Sequence, residues 1–126
     1  MPPRPHHHEI CKKIADALAA IKAGRISLVL TKHLVWDLEG LELESATELS
    51  QLLIELLDEI QHAGPIQCYA GSRPPQRSYE PEIRDLELWA YAWHSQRLQR
   101  PMYLKFAIKN QCYVYVDCHT DNPPME

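Results

Sequence analysis

Apolar positions along this chain recur with two different spacings, and the switches between them mark its elements. From Glu9 to Ala23, the residues Ile10, Ile14, Ala17, Leu18 and Ile21 fall on one helical stripe. Lys12, Lys13, Asp16 and Lys22 lie off it, and Gly24 is placed to end the helix. Ser45 followed by Glu48 has the form of a capping box. Behind it, Leu49, Leu52, Leu53, Leu56, Leu57 and Ile60 make the strongest helical stripe in the chain, which stops at Gly64 and Pro65. The other apolar runs alternate. Residues 25–31 read as a short strand, 34–43 as an extended segment broken at Gly40, and 66–70 as a strand. Residues 86–95 read as a long strand with Trp89, Tyr91 and Trp93 on one side and Leu88, Ala90, Ala92 and His94 on the other. Between the last two lies a loop, 71–85, with three prolines and three arginines, a length that usually serves function or stays disordered.

The stretch 101–119 predicts a β-hairpin. Met102, Leu104, Phe106 and Ile108 alternate with Tyr103, Lys105, Ala107 and Lys109, and Cys112, Val114, Val116 and Cys118 alternate with Tyr113, Tyr115 and Asp117. A two-residue Asn110-Gln111 loop puts Phe106 across from Tyr115 and Leu104 across from Asp117. A three-residue loop starting at Lys109 aligns Phe106 with Val114 and Leu104 with Val116, burying only apolar groups, and is the expected register. The opposite face then carries Tyr103, Lys105, Tyr113, Tyr115, Asp117 and His119. Helix, short strand, helix and antiparallel meander together predict an α+β fold, with N-terminal helices packed on one face of a mostly antiparallel β-sheet.

Length and charge narrow the picture. With 126 residues the chain makes one domain, placed at 9–120 between a disordered arm, 1–8, and a frayed tail, 121–126. No apolar run is long enough to cross a bilayer and the N-terminus lacks the apolar stretch of a signal peptide, so a cytoplasmic protein without membrane contact is expected. Cys11, Cys68, Cys112 and Cys118 are expected to stay reduced, because a chain of this size with a good core needs no staples. From Asp37 to Glu59 there are eight acidic residues and no Lys or Arg, whereas 66–119 holds seven Lys and Arg against five Asp and Glu. The formal charge of −4 argues against direct DNA binding but leaves room for a local basic patch on the sheet.

Aromatic rings and cations on one sheet face suit single-stranded RNA, whose unstacked bases lie on rings while Lys and Arg hold phosphates. Tyr and Trp are also good strand formers that pair across strands, so the alternation carries both readings. On the RNA reading, Tyr91, Trp93, Tyr113 and Tyr115 stack bases. A metal-free nuclease further needs a base for the 2′-hydroxyl, an acid for the leaving oxygen and a cation on the phosphate. His119 is the first candidate for acid or base, since histidine titrates near neutrality. Lys105, Arg73 and Arg77 are candidate cations, Tyr103 a proton donor or stacking platform, and His94 a second imidazole. A zinc site built from Cys68, Cys112, Cys118 and His119 is awkward, because Cys118 and His119 point to opposite faces of a strand. No cofactor is expected.

These residues resemble a known family. Ala23-Gly24-Arg25 after the first helix, Leu88-Trp89 in the middle strand and Tyr103-Leu104-Lys105 in the hairpin are similar to the RelE superfamily of type II toxin mRNA interferases, and most to its MqsR branch. The resemblance implies a toxin that cleaves mRNA without a metal through attack by the 2′-hydroxyl, with Tyr103 at the family's functional tyrosine and a cognate antitoxin protein as partner. The chain departs from the pattern at Ala90, where the family brings a Gln, near 68–70, where a Lys is missing, and at Cys118, which aligns with a C-terminal Lys. Two other readings stay open: a non-catalytic RNA- or protein-binding module using the same face, and an interaction domain using the acidic helix through Glu55, Asp58 and Glu59.

Overall fold

The computed structural model describes residues 4–121, and the fold is α+β. Helix α1 (His7–Lys22) and helix α3 (Ala46–Ala63) bury the two stripes read from the sequence against one sheet face, with Ile10, Ile14, Leu53 and Leu56 fully enclosed. Ser45 caps α3 by accepting the Glu48 N–H at 3.2 Å, and Gly64 ends it at φ 107°, a conformation open to glycine. The sheet has four strands in the order β1-β4-β3-β2, where β1 is Ile26–Ser27, β2 Trp89–Ser95, β3 Arg100–Lys109 and β4 Cys112–Thr120. Strands β2, β3 and β4 are antiparallel, and β1 lies parallel to the start of β4. Among the described residues no helix is long and apolar enough to cross a membrane.

Two segments expected to be extended are helical. Residues 31–40 form α2 (Thr31–Gly40), because Leu34 and Leu38 satisfy helical spacing as well as alternation and packing beside β4 decides between them. Residues 65–68 form a single turn, α4 (Pro65–Cys68), started by a proline that needs no N–H there, and only Tyr69 makes a lone bridge, to Tyr91. The expected disorder of 1–8 is corrected for its described part. Pro5 is buried, α1 already begins at His7, and Arg4 forks between Glu9 and Glu87 at 2.6 and 2.9 Å. The tail expected to fray lies outside the described residues from 122 onward, while Asp121 donates its N–H to the Pro101 carbonyl at 2.9 Å. All four cysteines are free.

The hairpin register also differs from expectation. The turn is the two-residue Asn110-Gln111 loop, with φ of 52° and 63°, and it pairs Phe106 with Tyr115. A bulge between Lys105 and Phe106 then absorbs Val116, so that Leu104 meets Cys118 and Lys105 meets Asp117. Tyr113 and Tyr115 consequently join Tyr91, Trp93 and Phe106 beneath the helices. Val114 and Val116 turn to the other face, where Ile83, Leu86 and Leu88 of the 71–88 segment cover them in a second, smaller core. That segment is held as a strap, with Ser78 N–H donating to Leu86 and Leu88 N–H to Gln76 at 2.9 and 2.8 Å.

Candidate functional site

Only part of the sheet face opposite α1 and α3 lies under the strap. On the rest, strand pairing lays side chains out in rows. Ala92, Tyr103 and His119 form one row, and Ala90, Lys105 and Asp117 the next. Helix α2 stands at the β4 edge of this face with His33 and Asp37 one turn apart, both directed at β4. Asp37 faces inward. It accepts the Tyr115 hydroxyl at 2.6 Å and the Cys118 N–H at 2.8 Å, capping β4 beyond the end of β1. Its burial pushes the carboxyl above the usual carboxylate range, although both donors oppose the shift.

His33 faces outward. Its Nδ1–H donates to the Asp117 carboxylate at 2.8 Å, and its Nε2 lies 3.6 Å from Glu80 on the strap. The Asp117 hydrogen bond holds the imidazolium to a higher pH than usual, with partial burial working against it. The second Asp117 oxygen is 4.0 Å from Lys105 Nζ, which sits 5.7 Å over the Tyr103 ring. Tyr103 in turn stacks on His119, centroids 5.4 Å apart and planes 23° from parallel. His119 Nδ1 lies 3.0 Å from the Thr120 carbonyl, an acceptor, so Nδ1 is the donating nitrogen and, in the neutral ring, the lone pair sits on Nε2. His33, Asp117 and His119 share the wall of a cleft of about 650 Å³, a volume typical of ligand sites, with Trp36 on its rim at 79% exposure. A hollow of about 340 Å³ continues from Asp117 past Lys105 toward Tyr79, which is 86% exposed.

Of the residues singled out from the sequence, Tyr103, Lys105 and His119 come together as expected. Tyr91, Trp93, Tyr113 and Tyr115 do not face outward, which corrects the expectation that they stack bases. Tyr91 is fully buried and donates to the Ile10 carbonyl at 2.9 Å, Trp93 donates to Glu59 at 3.0 Å, Tyr113 stacks on Phe106, and Tyr115 bonds Asp37. The physical reason is depth: the layer between sheet and helices takes large rings, while small Ala90 and Ala92 leave the other face shallow. Arg73 is exposed, lies 5.3 Å over the Tyr69 ring and donates to the Pro5 carbonyl, and Arg77 is an exposed strap residue bridging to Glu87. Neither lines the cleft or the hollow beside Lys105. His94 is exposed opposite Pro101, with β3 between it and His119.

His33, Glu80, Trp36 and Tyr79 escaped the sequence reading. Tyr79 carried a usable signal, since a large aromatic between Ser78 and Glu80 in an irregular segment has no core stripe to join. His33 carried none, because its partner Asp117 is 84 positions away. Among the described residues no group of three or more His, Cys, Asp or Glu could hold a metal ion. No family model, curated protein or solved structure matches this chain. The likeness to RelE-type toxins stands on the sequence letters that carry it.

Proposed function

We propose that this chain is a metal-independent endoribonuclease that cleaves single-stranded RNA in the cleft between α2 and β4. The observation that carries the reading is that His33 and Lys105 both meet Asp117 while His119, a second imidazole with different hydrogen-bonding, shares the cleft wall with His33 and Asp117. Cleavage of RNA by its own 2′-hydroxyl needs a base, an acid and a cation, and the three groups supply one each. His119 Nε2 takes the 2′-hydroxyl proton, the 2′-oxygen bonds to the adjacent phosphorus, and the bond from phosphorus to the 5′-oxygen breaks. His33, kept charged by Asp117, gives its Nε2 proton to that leaving oxygen. Lys105 offsets the charge that builds on the non-bridging oxygens. The products are a 2′,3′-cyclic phosphate and a free 5′-hydroxyl.

Asp117 fixes the His33 ring and stabilises its charge, while Tyr103 fixes the plane of His119. Trp36 on the cleft and Tyr79 on the hollow beside it, both exposed, offer stacking faces for bases. The resemblance to mRNA interferases supports the same reaction and adds its setting, a toxin restrained by an antitoxin.

Incubation of a labelled transcript with the chain in EDTA tests the reading. Wild type is expected to leave cyclic-phosphate ends. His33→Ala and His119→Ala are each expected to slow cleavage about 10²–10⁴-fold, as for loss of a general acid or base. Lys105→Ala is expected to slow it about 10²-fold. Full activity in all three variants ends the assignment. Tight RNA binding by wild type with no cleavage makes the face a binding module instead.

A further inference from the structure

The groove does not stop at Lys105. A separate pocket of about 310 Å³ opens on the far side of Lys105 and Tyr103 from Trp36, with Gly71, Ser72, Gln76 and Ala90 in its wall. It shares Lys105, Gln76 and Leu88 with the hollow beside Asp117, and that hollow shares His33 and Asp117 with the main cleft. The three recesses therefore form one track across the sheet from α2 to β2. Strands about 4.8 Å apart make β4 to β2 alone a span of roughly 10 Å.

The far pocket is pre-built. The Ala70 N–H donates to the Ala90 carbonyl at 2.8 Å, and the Tyr69 hydroxyl donates to the Ser72 carbonyl at 2.7 Å. A Cβ on Gly71 would come within 2.6 Å of that hydroxyl, so only glycine lets the wall close on the Tyr69 ring. The Arg73 guanidinium lies 5.3 Å from the centroid of the same ring. Ala90 contributes only a methyl to the wall. Gln76 adds an amide that both donates and accepts, Tyr103 a ring, and Lys105 a positive charge at the mouth.

We infer that this far pocket receives a nucleobase, so that the site binds an RNA strand longer than a dinucleotide, with one base at Trp36 and another read by Gln76. A recess of about 310 Å³ whose wall brings together small side chains, an amide, an aromatic ring and a lysine is matched by a base with polar edges on a charged backbone. The inference rests on the groove being an RNA site, and a binding measurement separates it from the cleavage step.

Uniformly 2′-O-methyl oligonucleotides, which lack the nucleophile, are labelled and titrated against the full chain by fluorescence anisotropy as dimers and pentamers of A, C, G and U. For at least one base the pentamer is expected to bind at least tenfold more tightly than the dimer. Ala90→Leu, which fills the pocket, is expected to remove that gain, and Gln76→Ala, at an exposed position that tolerates change, to reduce it severalfold. Equal affinity for dimer and pentamer with every base, or a gain that survives both substitutions, overturns the inference. A gain in a protein that leaves unmodified RNA uncut supports the pocket and sinks the nuclease. Cutting without any gain does the reverse.

Discussion

Tyr113 and Tyr115 lie two positions apart on β4 and both end beneath the helices, yet their hydroxyls are treated oppositely. The Tyr115 hydroxyl donates to Asp37 at 2.6 Å, whereas the buried Tyr113 hydroxyl has no hydrogen-bond partner among the described residues. Burial raises the pKa of both, so neither is a usable proton donor or acceptor near neutrality. Removing an unpaired buried hydroxyl relieves a desolvation penalty, and removing a paired one strands its partner. Tyr113→Phe is therefore expected to raise the free energy of unfolding in urea by about 1 kcal/mol, and Tyr115→Phe to lower it by about 1–3 kcal/mol. The reverse order would mean that Asp37 does not depend on β4. At this scale the sequence was legible for Tyr103, Lys105 and His119, which alternate as surface residues and are so. It misled for the buried tyrosines, because a phenol alternating with Val looks the same whichever of the two faces the core.

At the scale of elements, the difference lies in α2 and in the hairpin. The sequence of α2 fits a helix or an extended segment. Besides the packing of Leu34 and Leu38, the helix is held by two carboxylate contacts with β4, through Asp37 and through His33 to Asp117. The His33 contact makes the tether pH-dependent. Its folded pKa is raised, so its contribution is fully present below the unfolded value of about 6.5 and is lost as pH rises through the folded value. The difference in urea midpoint between wild type and His33→Gln is accordingly expected to be largest at about pH 6 and to shrink as the solution becomes alkaline. A difference that grows with pH would show that Asp117 does not hold the ring. Comparing the two proteins also cancels the trend of the same sign from Asp37, whose raised folded pKa removes stability as pH climbs from its unfolded value. In the hairpin, the sequence disfavours the two-residue loop because of the cost of placing Leu104 opposite Asp117. The bulge at Val116 removes that cost, and alternation alone holds no trace of a bulge.

Across the whole molecule, one deep aromatic and aliphatic layer lies between helices and sheet, and a thin second core lies under the strap. Leu56 of α3 sits fully buried in the deep layer, and Leu56→Ala is expected to lower stability by about 2–5 kcal/mol through the cavity it leaves. A loss well below that range in urea unfolding would mean that α3 packs more loosely than its burial implies. Unequal covering of the two faces is what creates the groove. The strap protects Val114 and Val116 and stops short of Lys105 and His119, so polar groups stay accessible beside an apolar floor. The 71–85 segment stood out in the sequence by its length and prolines, but through its arginines. In the fold its contribution is Glu80, Tyr79 and the wall at Gly71.

The helical stripes of α1 and α3, the cap at Ser45, the meander of β2 to β4 and the α+β class follow from local periodicity, because each is a repeat of side-chain character within one element. Which face of β4 enters the core, whether 31–40 coils, and the meeting of His33 with Asp117 do not. Those depend on pairing register and on contacts between residues far apart in the chain, and a one-residue change of register, absorbed here by a bulge, exchanges the two faces of a strand.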